Sequence, residues 1–241
     1  MKSVNEKIAV IVIALLVATN LVTLAMLLHH IRFKFPGHSR PAAGFKVLVE
    51  RIANDQATPD FKFTSVPPPA VTNAATTACF SLVAGKQDVN GAPVEKLREQ
   101  DLPSGPDAAS ENFFFHDGSY GGRILVDLNQ SIAIAQVNTY SWHKGPRGPQ
   151  LYKLYARDCA TNGASLEPVG NNDPATLGWT FLAEVDTRPK GGEPGGQYGV
   201  SIVSPSGLIG HYRYLLFDCK RTEEADRWGN TFYSQIDVIG Q

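Results

Sequence analysis

The fold of this chain is decided by residues 120–158, whose sequence is YGGRILVDLNQSIAIAQVNTYSWHKGPRGPQLYKLYARD. In its first run the side chains of Ile124, Val126 and Leu128 fall on one face, which is the period of two of a half-buried strand. Residues 132–141 and 151–156 have the same strand character. Three such runs, with a glycine- and proline-rich loop before the last, predict a meander in a β-sandwich whose loops bind a partner.

The same alternation continues on both sides of this stretch. Residues 93–100 are predicted to form a helical turn, with Val94 and Leu97 facing inward. Loops rich in glycine and proline separate the remaining strand-like runs. Those runs are residues 78–84, 179–185, 198–203, 212–217 and 232–239. About eight short strands without a long helix predict an all-β sandwich.

Near the N-terminus, residues 8–28 form an almost unbroken apolar run without a charge. At about 1.5 Å per residue, the run is long enough to cross the roughly 30 Å hydrocarbon core of a bilayer. A cleavable signal peptide is the alternative, but the run is longer than a usual signal core and no small-x-small site precedes His29. We therefore predict a short tail and a single transmembrane helix within residues 1–34.

Membrane orientation is not decided by the basic residues, which flank the apolar run on both sides. The short tail before the run favours a cytoplasmic N-terminus. The prediction is a single-pass membrane protein whose folded domain is extracytoplasmic, either periplasmic or extracellular. Residues 35–70 are predicted to be a linker or stalk, in which Phe45, Leu48, Val49 and Ile52 have the spacing of a short amphipathic helix. Residues 71–241 are predicted to form the sandwich domain.

Charge and cysteine content narrow the possible partners. The 241 residues carry a formal net charge of -1, so no basic excess indicates nucleic acid. Three cysteines are present, at positions 79, 159 and 219, and no CxxC pair indicates zinc. Cys159 and Cys219 could form a disulfide in an exported domain or stay as buried thiols, and the sequence leaves both alternatives open.

Several segments follow one another in the order of a known family. They are His116–Gly118 with Gly122–Leu128, Ile134–Trp142, Pro149–Tyr155, Trp179–Ala183, Arg213–Phe217 and Ser234–Val238. Together they resemble the galactose-binding-like jelly roll, in particular the discoidin or coagulation-factor C-type domain, from about residue 71 to the C-terminus. The resemblance implies a jelly-roll β-sandwich that binds carbohydrate or a glycosylated surface partner without catalysis.

Two departures from that family concern its structural calcium ion and its disulfide. Gln235 stands where many members carry a glutamate that helps to hold calcium. An amide lacks the charge that a hard cation prefers, so no cofactor is predicted. The usual terminal disulfide has no counterpart, because Cys79 and Cys219 do not lie at the expected ends.

The loop at residues 142–149 supplies the first candidate ligand-binding residues, Trp142, His143 and Arg147. An indole can stack on the apolar face of a sugar ring, while imidazole and guanidinium groups donate hydrogen bonds to hydroxyls or carboxylates. The structural alternatives are that Trp142 caps the core and that Arg147 pairs with a nearby acid.

Arg188, Tyr198, Arg227 and Trp228 lie in two other predicted loops and could join the same surface. The glycines around Arg188 and Tyr198 also fit a solvated, mobile loop. Trp228 stands in the polar run TEEADRWGN, where a tryptophan either fills the core or faces a partner.

Catalysis has little support in the sequence. Ser206 is not in a GxSxG pattern. His116 and Asp117 could be a metal-binding or acid–base pair, but a turn before a strand explains them better. The leading hypothesis is therefore a membrane-tethered, non-enzymatic module for carbohydrate, and the first alternative is a protein-interaction or structural domain. A hydrolase is the third hypothesis, and it requires two facing carboxylates.

Overall fold

A computed structural model describes residues 40–42, 44–158, 172–225 and 227–241. Within these ranges the chain forms nine antiparallel strands and short 3-10 helices at Ala74–Thr77, Val94–Arg98, Ala109–Glu111 and Pro174–Leu177. The strands are β1 (Arg40–Pro41), β2 (Lys46–Ile52), β3 (Cys79–Ala84), β4 (Gly121–His143), β5 (Leu151–Arg157), β6 (Thr180–Asp186), β7 (Gly196–Val203), β8 (Gly210–Lys220) and β9 (Tyr233–Gly240).

The long strand β4 joins the two layers of the fold. Its first part pairs with β3 and β8, and its second part, from Ile134 onward, pairs with β7 and β9. Asn129 has a φ of 68°, and the pairing shifts between Asp127 and Ile132 and again between Ile134 and Gln136. Such irregularities bend a strand, so one continuous segment passes from one layer to the other. The complete strand order is β1-β6-β5-β8-β4-β7-β2, with β3 and β9 also on β4.

The main core consists of every second residue of the strands in both layers. Examples are Ile124 and Val126 of β4, Val200 and Ile202 of β7, Leu215 and Phe217 of β8, and Ile236 and Val238 of β9. This alternation is the consequence of side chains pointing to opposite faces along a strand. Each large aliphatic or phenyl side chain buried in this way stabilises the fold by about 1.5–3 kcal/mol.

Side chains of the opposite parity form two smaller apolar clusters. The first contains Leu125, Tyr155, Trp179, Tyr214 and Leu216. The second contains Phe61, Val66, Tyr140 and Trp142, so residues 61–66 pack against β4. Aromatic residues of β4 on this side are therefore covered by a segment that lies far away in sequence.

Several sequence predictions are confirmed by this architecture. The described part of the chain is all-β, and strands occupy each of the runs predicted from residue 78 onward. The predicted helical turn is a 3-10 helix at Val94–Arg98, in which Val94 and Leu97 are both buried. The predicted anchor at residues 8–28 lies outside the described ranges, and within those ranges no helix is long and apolar enough to cross a membrane.

The predicted meander is wrong in its pairing. Residues 120–128 and 132–141 are not two neighbouring strands but parts of β4. The third run, β5, pairs with β6 and β8 and not with β4. The loop after β4 is therefore not a hairpin, because its two flanking strands have other hydrogen-bonding partners.

The prediction for residues 45–52 is also wrong. This segment is not an amphipathic helix but strand β2, which pairs with β7 over its whole length. Hydrogen bonding to the edge of a sheet outweighs the local helical spacing. Within the described residues, β2 and residues 61–66 therefore pack on the sheet and belong to the same compact unit as the later strands. Cys79 and Cys219 have free thiols, the latter buried, and Cys159 lies outside the described residues.

Candidate ligand-binding surface

Trp142, the central candidate of the sequence analysis, is a core residue. It is 3% exposed and packs edge-on against Phe61. Its indole Nε1 donates a hydrogen bond to Oδ1 of Asn54 at 3.1 Å. Because the ring faces are covered by protein, the indole is not available to stack on a sugar, and its interpretation as a ligand contact is wrong. The alternative, that Trp142 caps the core, is the one the structure supports.

His143 is 8% exposed and holds the shape of the loop that follows β4. Its Nδ1 accepts the N–H of Gly145 at 2.9 Å, and its ring meets the ring of Phe232 at a centroid distance of 4.6 Å. Burial lowers the pKa of His143, so the imidazole is neutral at neutral pH. These contacts fix the side chain within the protein and leave it unsuited to an outward contact.

Arg147 lies against two phenyl rings. Its guanidinium carbon is 4.5 Å from the ring centroid of Phe114 and 4.0 Å from that of Phe232. Its Nε donates to the backbone oxygen of Asn230 at 3.0 Å. The side chain thus ties the loop after β4 to the segment before β9.

The side chains of Arg188 and Tyr198 are both engaged by contacts within the protein. The Arg188 guanidinium makes two hydrogen bonds to the Asp186 carboxylate, at 2.9 and 2.7 Å. Tyr198 belongs to β7 and not to the preceding loop, and its buried hydroxyl donates to the oxygen of Pro194 at 2.6 Å. Burial raises the pKa of Tyr198 to about 12, as expected for a phenol inside the protein.

Arg227 and Trp228 are the candidates that face solvent. The Trp228 side chain is 41% exposed, and the Arg227 guanidinium carbon lies 5.6 Å from its ring centroid. Arg227 also forms an ion pair with Asp117. The Arg227 backbone oxygen accepts the N–H of Gly118 at 2.8 Å. The loop before β9 is thereby joined to the turn that precedes β4.

A second exposed aromatic side chain, Tyr120, was missed by the sequence analysis. It is 74% exposed, and the Arg221 guanidinium carbon lies 4.5 Å from its ring centroid. Arg221 Nη2 also donates to the oxygen of Glu224 at 3.3 Å. The available signal was the position of Tyr120 between the turn at Asp117-Gly118 and the two glycines that open β4.

Asn230 holds these two segments in place. Its Nδ2 lies within hydrogen-bonding distance of the backbone oxygens of Phe115, His116 and Ser119, at 3.3, 3.1 and 3.3 Å. Gly229 is needed beside it, because an added Cβ would lie 2.0 Å from the oxygen of Glu223. We call the group formed by exposed Tyr120, Arg227 and Trp228 with half-buried Arg221 the aromatic–arginine surface.

This surface has two kinds of recognition chemistry. Exposed rings stack on flat or apolar faces of a ligand, and guanidinium groups donate hydrogen bonds in a fixed fork to hydroxyls, carboxylates or sulfates. Asp88, His116 and Asp117 form a group of possible metal ligands in the same part of the molecule. Gln235, where the resembled family holds calcium, is buried, and its Nε2 donates to Oδ1 of Asp237 at 2.6 Å.

The chain has distant similarities to several solved structures. No protein-family model matches the chain, and no curated protein matches it. Among solved structures, the family 32 carbohydrate-binding module of NanJ from Clostridium perfringens, in complex with galactose, has 12% identity and a TM-score of 0.43, covering 69% of this chain and 97% of that one. A fucolectin from striped bass serum has 12% identity and a TM-score of 0.40, covering 70% and 48%. Reduced XRCC1 bound to the DNA polymerase beta catalytic domain has 9% identity and a TM-score of 0.41, covering 66% and 93%. These similarities assign neither a family nor a function to the chain.

Proposed function

We propose that this chain is a non-enzymatic carbohydrate-binding module of the galactose-binding-like, discoidin type. Its ligand-binding site in this proposal is the aromatic–arginine surface, and residues 8–28 tether it to a membrane. The observation that carries the proposal is the exposure of Tyr120 and Trp228, each with an arginine beside its ring. Binding residues occur disproportionately on loops held by a rigid scaffold, and large exposed apolar patches mark contact surfaces.

A sugar fits this surface better than a purely apolar partner does. The rings of Tyr120 and Trp228 offer flat faces to the C–H groups of a pyranose. Arg221 lies beside Tyr120 and Arg227 beside Trp228, so each ring has guanidinium donors for hydroxyl or carboxylate oxygens next to it. The surface therefore combines stacking with hydrogen-bond donors, as a ligand with one apolar face and a polar edge requires.

The contacts of the Asp117 carboxylate favour a binding function for this surface over hydrolysis. Glycoside hydrolysis requires two carboxyl groups that face each other across the scissile bond. The Asp117 carboxylate is engaged by Arg227 and approaches Nε2 of His116 at 3.1 Å. An aspartate held in such contacts supports the turn, and its role as a general acid or base is not part of the proposal.

The test is a glycan array probed with the full chain, purified in mild detergent because of its apolar N-terminal segment. The array includes galactose and the two galactose-containing disaccharides present in the neighbouring solved structures. Tyr120→Ala and Trp228→Ala are each expected to weaken the best ligand by about tenfold, which corresponds to about 1.4 kcal/mol. Leu177→Ala removes a comparably exposed apolar side chain elsewhere and is expected to leave binding unchanged.

Two results would count against this function. An array without any hit would exclude the sugar, and equal affinities of the wild type and both aromatic variants would exclude this surface. A photo-crosslinker at position 228 tests the remaining alternative, a protein-interaction domain. Adducts with one defined envelope protein, unaffected by added glycan, would favour that alternative.

A further inference from the structure

Asp88, His116 and Asp117 form a cluster with the donor atoms of a metal site. Asp88 follows β3, whereas His116 and Asp117 form the turn before β4, so the cluster joins two separate segments. Each of the three side chains offers one ligand atom, and these atoms lie within 4.8 Å of one another. The imidazole stands between the carboxylates, with Nδ1 3.8 Å from Oδ2 of Asp88 and Nε2 3.1 Å from Oδ1 of Asp117.

The hydrogen bonds of this cluster are incomplete at the imidazole. His116 Nδ1 is buried and makes no hydrogen bond, since its 3.8 Å separation from Asp88 is too long for one. Donor atoms that share one metal ion, at bond lengths of about 2.1 Å, lie about 3.0–3.5 Å apart. The two measured separations involve different nitrogens of the imidazole, so the ring must turn for one of these nitrogens to share an ion with both carboxylates, whose ligand atoms already lie within 4.8 Å of it.

Charge also favours a cation at this position. The side chains of Asp88 and Asp117 are only 2% and 8% exposed, and a buried carboxylate is costly unless it is paired or coordinates a metal. Asp88 accepts N–H groups of Asn90 and Asp117, at 2.9 and 3.2 Å, but among the described residues no lysine or arginine forms a salt bridge with it. Arg227 pairs with Asp117 through a side chain that is 69% exposed.

We infer that Asp88, His116 and Asp117 form a binding site for a divalent transition-metal ion, which would cross-link the turn after β3 to the turn before β4. One imidazole nitrogen and two carboxylate oxygens suit Zn²⁺, Co²⁺, Ni²⁺ or Mn²⁺ better than they suit Ca²⁺, because Ca²⁺ prefers ligand sets made only of oxygen. Arg227 competes with the ion for Asp117. The site is independent of any sugar, and its test uses no glycan.

The test is titration of the full chain with CoCl2, followed by the visible absorption of bound Co²⁺ and by calorimetry. The chain carries no histidine tag, and His29, His30 and His38 are replaced by alanine to remove background ligands outside the described residues. One Co²⁺ per chain is expected. Asp88→Asn and His116→Ala are each expected to weaken binding at least about tenfold, whereas His211→Ala, which removes an exposed histidine from β8, is not.

Substitution of Arg227, which competes with the ion for Asp117, tests the metal site directly, because a cluster with a merely structural role would not respond to it in the same way. Arg227→Ala is expected to tighten Co²⁺ binding several-fold, because it removes a positive charge from Asp117. A second measurement uses the protein in which Asp88, His116 and Asp117 are unchanged. NMR of its histidine side chains gives a readout that does not depend on the folding of any cluster variant. Paramagnetic Co²⁺ is expected to broaden the His116 signals and leave those of His211 sharp. Absence of Co²⁺ binding, equal broadening of both histidines, or affinity unchanged in both Asp88→Asn and His116→Ala would overturn the inference.

Discussion

Arg147 has the chemistry of a ligand-binding residue and the position of a structural one. Its guanidinium lies against Phe114 and Phe232, and its Nε bonds to the backbone of Asn230. We predict that Arg147→Ala lowers the free energy of unfolding by about 1–3 kcal/mol, through lost cation–π contacts and a lost hydrogen bond. Urea denaturation followed by tryptophan fluorescence measures this loss.

The matched control for Arg147 is Lys190→Ala, which removes an exposed cation from another loop. Its free energy of unfolding is expected to stay within about 0.5 kcal/mol of the wild type. If Arg147→Ala abolished glycan binding while leaving stability intact, the sequence-based assignment of Arg147 to the ligand site would be right and the structural one wrong.

At the scale of single residues, the sequence showed which side chains have binding chemistry, but it did not show which of them the fold buries. Trp142 and Trp228 have the same ring, yet one is buried and the other exposed. Burial of Trp142 depends on Phe61 and Asn54, which lie far away in sequence and in a segment interpreted as a stalk. The polar run around Trp228 was the better predictor of exposure, because it offers no apolar neighbours to cover the ring.

Glu50 of β2 fixes the segment that covers Trp142. Its carboxylate accepts the N–H groups of Thr64, Ser65 and Val66, at 2.7, 2.5 and 3.3 Å, and the Ser65 hydroxyl at 2.7 Å. Partial burial acts to raise the pKa of Glu50, but these donors outweigh it and lower the pKa to about 2. A carboxylate with a lowered pKa stabilises the fold above its unfolded pKa, near 4.3, and this stabilisation is lost as the pH falls through the folded value.

We therefore predict that Glu50→Gln destabilises the chain by about 1–3 kcal/mol at neutral pH. The difference between wild type and variant is expected to shrink as the pH falls from about 5 toward 2, because protonation of Glu50 removes the charge that distinguishes it from glutamine. Urea denaturation at a series of pH values measures it. Glu193→Gln, at an exposed position, is the control. A wild-type advantage that stayed constant over this pH range would contradict the charged-acceptor role of Glu50.

At the scale of elements, the alternation of apolar and polar residues located the strands but did not show which strands pair with each other. The runs that became β5, β6, β8 and β9 were each recognised from their own residues. Pairing depends on contacts between distant segments, and β8 lies between β4 and β5 although it follows both in sequence. The segment at β2 misled the analysis, since Leu48 and Val49, two of the residues with helical spacing, are exposed on an edge strand.

For the whole molecule, one physical arrangement links the fold to the proposed function. The sandwich buries the alternating residues of both layers, and the polar turns before β4 and before β9 are left to carry exposed rings. The loop after β4, which the sequence favoured, is instead closed by His143 and Arg147. The proposed binding surface therefore lies where the chain exposes aromatic side chains without opening its core.

The proposed topology of the whole chain has a direct chemical test in Cys79. This residue has an exposed free thiol, whereas Cys219 is buried, and burial raises the pKa of the Cys219 thiol to about 12. If the folded domain lies outside the cytoplasm, a membrane-impermeant maleimide added to intact cells or spheroplasts reaches Cys79. We expect labelling of a Cys159→Ser variant at one site, and loss of that label in Cys79→Ser with Cys159→Ser. Labelling that appeared only after lysis would place the domain in the cytoplasm and contradict the predicted orientation, because the reagent then fails to reach a thiol that is accessible in the folded protein.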